Sequence, residues 1–482
     1  MTAGRLSRRG LLLSGAGLLA GSSPTHAQDA ADIRILVPNT LLGATAQQMA
    51  NRFTEMTGAT VRFLTLPPET IEFRLREDVR TGANLYHGAI VSMWHLGGYV
   101  VDNIILPIDD LIPATETPGS SDAEFPAVSQ LRSLEDRQYA LPIDGDCQLL
   151  YFQNDILESD EIAAAFQSET GREWSIPGTW TDLIAMATWW SARGQNGVAL
   201  GLAPVSMAAF PFLAMAAPYA TPVDDPGLFW FSREDFTPRI DSGAHQTALQ
   251  DFAALAGTGD TAQWSWHTPE AWLAFLDGEA LFTIAGPDLL TSAIDWGHAR
   301  RDRIGVAPLP ASDQPSGTPI AGDRAFAAGN VLGPNWGGVI QANAPDPELT
   351  FQFLALLSDP VFQRDRGWTV DDGIDPSRAG QLPGVDLISL DHYTAAGFTE
   401  TQASQFGDAI AATLGAPVQL PYLRIPGAFD YLTALDNAIT GYLAGAFASP
   451  AAALQSAAAA FAALSTTHGV ERQHHLYFSN LV

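Results

Sequence analysis

The stretch DRQYALPIDGDCQLLYFQND, residues 136–155, separates two differently patterned parts of the chain. It places Asp144 and Asp146 on either side of Gly145 and continues with Cys147, the only cysteine of the sequence. An apolar run, residues 149–152, begins two positions later. Paired carboxylates ahead of a buried run fit three kinds of site, namely a catalytic pair, a metal-binding loop or a ligand-binding loop.

The part before this stretch alternates short strands with helices. Residues 33–37, 60–64 and 88–94 are short apolar runs, which predict strands. Residues 44–57 carry apolar side chains at helical spacing and end at Gly58, a residue that favours the helix C-terminus. Strand–helix–strand order is typical of a parallel sheet, so an α/β fold is predicted.

The part after this stretch has longer helices and fewer strands. Helices are predicted at 182–192, 347–358 and 450–465, and strands at 280–285, 304–307 and 331–341. The segments 112–130 and 311–330 are predicted to be loops, the first because it is rich in Pro, Ser, Thr and acidic residues.

The composition limits both the architecture and the partners. The chain has 482 residues, of which 46% are hydrophobic, so it is long enough for two or three domains with a sizeable core. It carries 53 acidic against 24 basic residues, and every basic residue is an arginine. The formal charge of −29 argues against binding to nucleic acid or to an anionic membrane surface.

Residues 1–27 have the pattern of an export signal. A basic start is followed by a short apolar stretch and by Thr25-His26-Ala27, a small-x-small cleavage pattern. The pair Arg8-Arg9 is typical of twin-arginine export. We therefore expect cleavage after Ala27 and a periplasmic location. No lipid anchor is expected, because no cysteine lies near the cleavage point.

Seven short motifs then follow one another in a recognisable order. They are FTEMTGATV (53–61), DRQYALP (136–142), LYFQND (150–155), WTD (180–182), LDGEALFTIAGP (276–287), VAPLP (306–310) and LLSDP (356–360). Behind an export signal, this order resembles the extracellular solute-binding proteins of ABC importers, in particular the branch that binds maltose.

The resemblance implies a two-lobe periplasmic-binding-protein fold of type II. Each lobe would be a mainly parallel sheet flanked by helices, with the ligand cleft at the hinge. We assign residues 32–147 and 304–366 to the N-terminal lobe and residues 148–303 and 367–482 to the C-terminal lobe. The resemblance also implies a monomer without a cofactor. Such a protein binds a small carbohydrate or polyol and delivers it to an ABC permease in the inner membrane.

The predicted ligand-binding residues lie where predicted strands end. Ligands of parallel sheets bind at the carboxyl ends of strands, a rule that selects Asn39, Trp94, Asp144, Asp146, Asp288 and Trp336. By resemblance, Trp94 matches a sugar-stacking tryptophan and Asp146 a sugar-contacting glutamate. Ordinary packing is the alternative for Trp94, and capping of an Asp-Gly turn is the alternative for both aspartates of the opening stretch.

Two further acids and one arginine complete the predicted site. Asp288 and Asp430 occupy positions that are aromatic in the maltose-binding branch, which favours a smaller and more hydrophilic ligand. Arg424 lies close to Asp430 in sequence and is a candidate hydrogen-bond donor. The alternative for Arg424 is a salt bridge at the surface or between lobes.

Other functions fit these residues less well. Asp144 and Asp146 lie on one loop, whereas glycosidase carboxylates face each other across the scissile bond. Acidic neighbours disfavour a nucleophilic Cys147, and DGDCQLL supplies too few oxygens for a calcium loop. No catalytic or metal-binding residue is therefore predicted. A receptor for a sensor kinase and a binder of a cationic ligand such as a polyamine remain open alternatives.

Overall fold

The computed structural model describes residues 32–39, 44–112, 124–204, 208–313, 335–359, 374–383 and 389–481. The predicted export signal, residues 1–27, lies outside these ranges, as do most of the predicted loop at 311–330 and the start of the strand predicted at 331–341.

Eleven strands are described. They are β1 Asp32–Pro38, β2 Thr60–Leu66, β3 Gly88–Ser92, β4 Ser133–Leu134, β5 Arg137–Gln138, β6 Ala140–Pro142, β7 Leu149–Gln153, β8 Asn196–Ala199, β9 Ala280–Ala285, β10 Ile304–Pro308 and β11 Trp336–Ile340.

Seventeen α-helices are described, and the longer ones lie in the second half of the chain. They are α1 Ala44–Thr57, α2 Pro68–Thr81, α3 Leu96–Val101, α4 Pro126–Leu131, α5 Asn154–Leu157, α6 Asp160–Thr170, α7 Trp180–Ser191, α8 Ala209–Ala220, α9 Gly243–Ala256, α10 Thr268–Leu276, α11 Asp288–Asp295, α12 Pro347–Leu357, α13 Leu390–Ala396, α14 Glu400–Leu414, α15 Ala428–Leu443, α16 Pro450–His468 and α17 Val470–Ser479. Helix α4 lies in a segment that was predicted to be loop.

Helix α1 illustrates how the local pattern forms an element. Met49, Ala50 and Phe53 are buried on one face of this helix, as their spacing of three to four residues requires. Gly58 then takes a left-handed φ of 78°, and its N–H donates to the carbonyl of Thr54 at 2.8 Å. The helix therefore ends where a residue without a side chain can reverse the backbone.

Two sheets form the framework. The first has the strand order β2-β1-β3-β11-β6, and the second has the order β10-β7-β9-β8. In the first sheet β1 is parallel to β2 and β3, whereas β11 is antiparallel to β3 and β6. In the second sheet only β8 and β9 are parallel. The sheets are therefore mixed, in contrast to the mainly parallel sheets that were predicted.

The chain passes between the sheets within residues 136–155. Strand β6 belongs to the first sheet and β7 to the second, so residues 143–148 connect the two. Strand β10 pairs with β7, with Val306 opposite Tyr151. The predicted lobe boundary at 304 is therefore wrong in this respect, because the chain rejoins the first sheet only at β11. The other predicted lobe boundaries stay predictions.

The apolar core is in two parts. The smaller part lies between the first sheet and helices α1 and α12, and it contains Ile35, Phe53 and Leu354. The larger part is continuous from the first sheet, at Val91, to the second sheet, at Leu150. Side chains of both sheets therefore share one core, and the residues between the sheets are closed off from solvent.

Candidate functional site

The connection between β6 and β7 is buried along its whole length. The N–H groups of Ile143 and Asp144 donate to the carbonyl of Trp336 at 3.1 and 3.2 Å, and the N–H of Gly145 donates to the carbonyl of Asp375 at 3.2 Å. A Cβ at position 145 would overlap the backbone of Pro376. Glycine is required here because another backbone segment passes directly against it.

Four aspartates converge around this connection, and we call Asp144, Asp146, Asp288 and Asp375 the aspartate cluster. The N–H of Asp375 donates to Oδ1 of Asp144 at 2.6 Å. One carboxylate oxygen from each of Asp144, Asp146 and Asp375 lies within 4.8 Å of the other two. The cluster thus joins the first crossing between the sheets to a segment more than 200 residues later in the chain.

Asp288 reaches the cluster from the second sheet. It follows β9 and is the first residue of α11. The space that a Cβ at Gly286 would fill is bounded by Oδ1 of Asp288 and, at 3.7 Å, by Oδ1 of Asp146. The absence of a side chain at Gly286 therefore leaves room for these two carboxylates to approach each other.

Asn335 and Tyr422 connect the cluster to the aromatic side chains. The backbone N–H of Asn335 donates to Oδ2 of Asp146 at 3.0 Å, and its Nδ2 donates to the carbonyl of Asp146 at 3.0 Å. Asn335 Nδ2 also donates to the hydroxyl of Tyr422 at 2.7 Å. The Tyr422 ring stacks on Trp94 at a centroid distance of 4.2 Å. Trp94 is fully buried, so these contacts place it two side chains away from Asp146.

Burial raises the pKa values of all four carboxyl groups, and the charges of neighbouring aspartates add to this for Asp144, Asp288 and Asp375. Burial raises the pKa of Asp144 well above its ordinary value, and the neighbouring charges of Asp146 and Asp375 add to this. Burial likewise raises the pKa of Asp146 and, together with Asp288 and Asp146, that of Asp375. The pKa of Asp288 rises to about 8, mainly through burial and then through the charge of Asp146. Carboxylates in this setting hold protons or need compensating donors.

A polar cavity adjoins Trp94. It has a volume of about 90 Å³ and is also lined by Glu72, Arg76, His95 and Asp430. Glu72 accepts from Arg76 Nε at 3.1 Å and lies 3.3 Å from His95 Nδ1. Trp94 and Asp430, which were both predicted as site residues, therefore meet at this cavity. The carboxylate of Asp430 is exposed, unlike those of the cluster.

The remaining predicted residues lie elsewhere. Asn39 is exposed directly after β1, and its N–H donates to the carbonyl of Leu66 at 3.0 Å. The side chain of Trp336 packs in the smaller core, while its carbonyl holds the β6–β7 connection. Among the described residues, no hydrogen bond or ion pair joins Asn39 to the cluster, so its role as a ligand-binding residue stays a prediction.

The buried side chain of Arg424 holds segments of the backbone together. Its guanidinium donates to the carbonyls of Gln130, Ser133 (2.6 Å) and Asn480, and burial lowers its pKa to about 10. These contacts tie the α4–β4 segment to the end of the chain. The alternative of a link between lobes fits Arg424 better than a ligand contact, although its partners are carbonyls and not the carboxylates of a salt bridge.

Cys147 is buried next to the cluster. Burial raises the pKa of its thiol well above the ordinary value, and the surrounding aspartates add to the increase. A thiol that stays protonated is a poor nucleophile, which agrees with the expectation from the sequence that Cys147 is not one.

Sequence reasoning missed Asp375, Asn335 and Tyr422. Asp375 follows Ile374 and precedes Pro376, outside any predicted strand end, and its contact with Asp144 bridges 231 positions. A usable signal was its place in the segment that follows α12, where the chain was predicted to enter the C-terminal lobe. A carboxylate in such a segment is a candidate for a cleft residue.

The sequence profile of a family described as bacterial extracellular solute-binding protein matches residues 48–389. The chain belongs to this family. The family is extracellular, and its members bind solutes, which agrees with a buried polar site between two sheets. Within the described ranges, no helix is long and apolar enough to cross a membrane. No curated protein matches the chain in a sequence comparison.

Solved structures of solute-binding proteins share the fold. An ABC transporter solute-binding protein from Agrobacterium radiobacter K84 in complex with ribitol has a TM-score of 0.69 at 18% identity, covering 90% of this chain and 99% of that one. One from Agrobacterium vitis S4 with bound D-mannitol has a TM-score of 0.64 at 17% identity, covering 91% and 99%. Maltose-bound MalE3 of T. maritima has a TM-score of 0.66 at 16% identity, covering 90% and 100%. The predicted two-lobe α/β fold is thereby confirmed.

Proposed function

We propose that this chain is the periplasmic solute-binding component of an ABC importer. It binds a small carbohydrate or polyol in the cleft between its lobes and delivers the solute to a permease in the inner membrane. The observation that carries the proposal is the aspartate cluster, which gathers carboxylates from both sides of the first crossing segment and connects through Asn335 and Tyr422 to Trp94.

The chemistry of the cluster fits hydroxyl groups. Carboxylate oxygens accept hydrogen bonds from hydroxyls, and aromatic rings present an apolar face to the C–H side of a sugar. Hydroxyl donors would also compensate the carboxylates that burial and repulsion now disfavour. Structural neighbours carry ribitol, D-mannitol and maltose, which belong to this class of ligand.

The position of the site explains how a bound solute would close the two lobes. A ligand shifts a two-lobe protein toward the closed form only by as much as it binds that form better than the open one. Asp146 precedes β7 of the second sheet, whereas Asn335 precedes β11 of the first. These two residues hydrogen-bond each other, so a solute that contacts this pair contacts both lobes and therefore favours the closed form, which a permease can distinguish from the open one.

Export is part of the proposal. Residues 1–27 carry the twin-arginine pattern at Arg8-Arg9 and a cleavage pattern that ends at Ala27. A fusion of this segment to a reporter should reach the periplasm, and replacement of both arginines by lysine should retain the reporter in the cytoplasm. Unchanged export of the double variant would refute the twin-arginine route.

A thermal-shift panel tests the solute class. At saturating concentration, at least one sugar or polyol is expected to raise the melting temperature of the mature protein, since ligand that binds only the folded state stabilises it. Ribitol, D-mannitol, D-tagatose, maltose and xylo-oligosaccharides are suitable probes. Asp146→Asn should reduce the shift, whereas Asp408→Asn, which removes the same charge from an exposed site on α14, should not. A panel in which only amino acids respond would refute the carbohydrate assignment.

A further inference from the structure

Three members of the aspartate cluster form a compact acceptor group. One oxygen from each of Asp144, Asp146 and Asp375 lies within 4.8 Å of the other two. Other hydrogen bonds already use Oδ1 of Asp144, which accepts from the N–H of Asp375, and Oδ2 of Asp146, which accepts from the N–H of Asn335. Asp144 and Asp146 also hydrogen-bond each other through their side chains. These contacts hold the carboxyl groups in place, and oxygen lone pairs remain for another partner.

Asp375 contributes an oxygen that has no partner. The side chain is 2% exposed, and its Oδ1 is buried without a hydrogen bond to any described residue. A buried acceptor without a donor is unfavourable and rare in folded proteins. Because this side chain belongs to the acceptor group, its position calls for a donor from outside the described chain.

The described residues supply no positive charge to this group. None of the described arginines or histidines forms an ion pair with Asp144, Asp146 or Asp375, and the sequence contains no lysine. The buried Arg424 is engaged with three carbonyls elsewhere. With hydroxyl ligands alone these buried carboxyl groups would tend to hold protons, whereas a cationic group could compensate them as charged carboxylates.

We propose that Asp144, Asp146 and Asp375 form an ammonium subsite of the ligand cleft, and that the bound solute is an amino sugar or an amino polyol. This inference rests on the proposed function. A primary ammonium has three N–H donors, and with N···O distances of about 2.8 Å and tetrahedral angles its acceptors lie about 4.6 Å apart. The oxygens of the acceptor group satisfy this limit. Such charge-assisted hydrogen bonds are stronger than those of hydroxyls.

The test compares matched pairs that differ in one group. Calorimetry at pH 7 measures the affinity of the wild-type protein for D-glucitol against 1-amino-1-deoxy-D-glucitol, and for D-mannitol against 1-amino-1-deoxy-D-mannitol. The amino member of a pair should bind at least about tenfold more tightly. In Asp375→Asn this preference should fall to about twofold or less, because the charge is lost while the shape is kept. Asp408→Asn, which removes an exposed charge, should keep the full preference.

Binding of calcium chloride and of putrescine is measured in the same way. Equal or tighter binding of the neutral members would overturn the ammonium subsite and leave the proposed function intact. Binding of Ca²⁺ that Asp375→Asn abolishes, without any preference for the amino members, would overturn it in favour of a metal site. Binding of putrescine without binding of any polyol or sugar would support a cationic subsite but refute the proposed function. The wild-type preference needs no variant, so the test holds even if Asp375→Asn fails to fold.

Discussion

The aspartate cluster should make the protein less stable as the pH rises above neutrality, and Asp288 gives the clearest test. Its folded-state pKa is about 8, whereas an unfolded aspartate titrates near 3.9. Folding therefore favours the protonated form. The stabilising contribution of this proton is complete below the unfolded pKa and is lost as the pH rises through 8.

The magnitude follows from the pKa difference. One proton of difference between the states changes the free energy of unfolding by about 1.4 kcal/mol per pH unit. The slope decreases as the folded carboxyl itself begins to titrate, so Asp288 contributes a loss of about 1.5 kcal/mol between pH 6.5 and 8. Buried His245, whose pKa falls to about 3, loses stabilisation only as the pH drops below about 6.5. The window from 6.5 to 8 therefore avoids this opposing effect.

Asp288→Asn isolates the contribution. Urea unfolding of the ligand-free protein at pH 6.5 and at pH 8 measures the free energy of unfolding for both proteins. Relative to wild type, the variant should gain about 1.5 kcal/mol across this range, because it lacks the carboxyl that must lose its proton. Asp408→Asn serves as the control and should show no such gain. A difference that stays constant, or that falls with pH, would refute the electrostatic account of the cluster.

Three further predictions concern residues around the site. Gly145→Ala should weaken ligand binding by tenfold or more in calorimetry, because its Cβ overlaps Pro376, while Gly243→Ala, which meets no atom within 4 Å, should bind normally. Arg424→Lys should lower the free energy of unfolding by about 2–4 kcal/mol in urea titrations, because one ammonium cannot replace the guanidinium at all of its carbonyl partners. A loss of binding with unchanged stability would contradict the structural role of Arg424. Cys147 should react with a thiol reagent at pH 8 only after unfolding, and rapid reaction of the native protein would show that it is accessible.

Local patterns in the sequence predicted the elements well. The predicted strand at 280–285 coincides with β9, and the predicted helix at 44–57 coincides with α1, because period and capping residues are properties of neighbouring positions. The motif order predicted the family for a similar reason, since it required only the succession of such elements.

Pairing between strands that are distant in the sequence was harder to predict. Nothing in residues 304–308 distinguishes pairing with β7 from pairing within the first sheet, so the predicted lobe boundary failed there. The combination of parallel and antiparallel strands in each sheet was not predicted, because strand direction depends on the route of the chain between strands. Asp375 was missed because it reaches Asp144 only through tertiary structure.

A crystal structure of the mature protein with the sugar or polyol that gives the largest thermal shift tests the central claim most directly. We predict that the ligand lies between the two sheets, with its polar groups within hydrogen-bonding distance of Asp144, Asp146 and Asp375. A ligand bound outside the cluster, with these carboxylates in the arrangement described above, would contradict it.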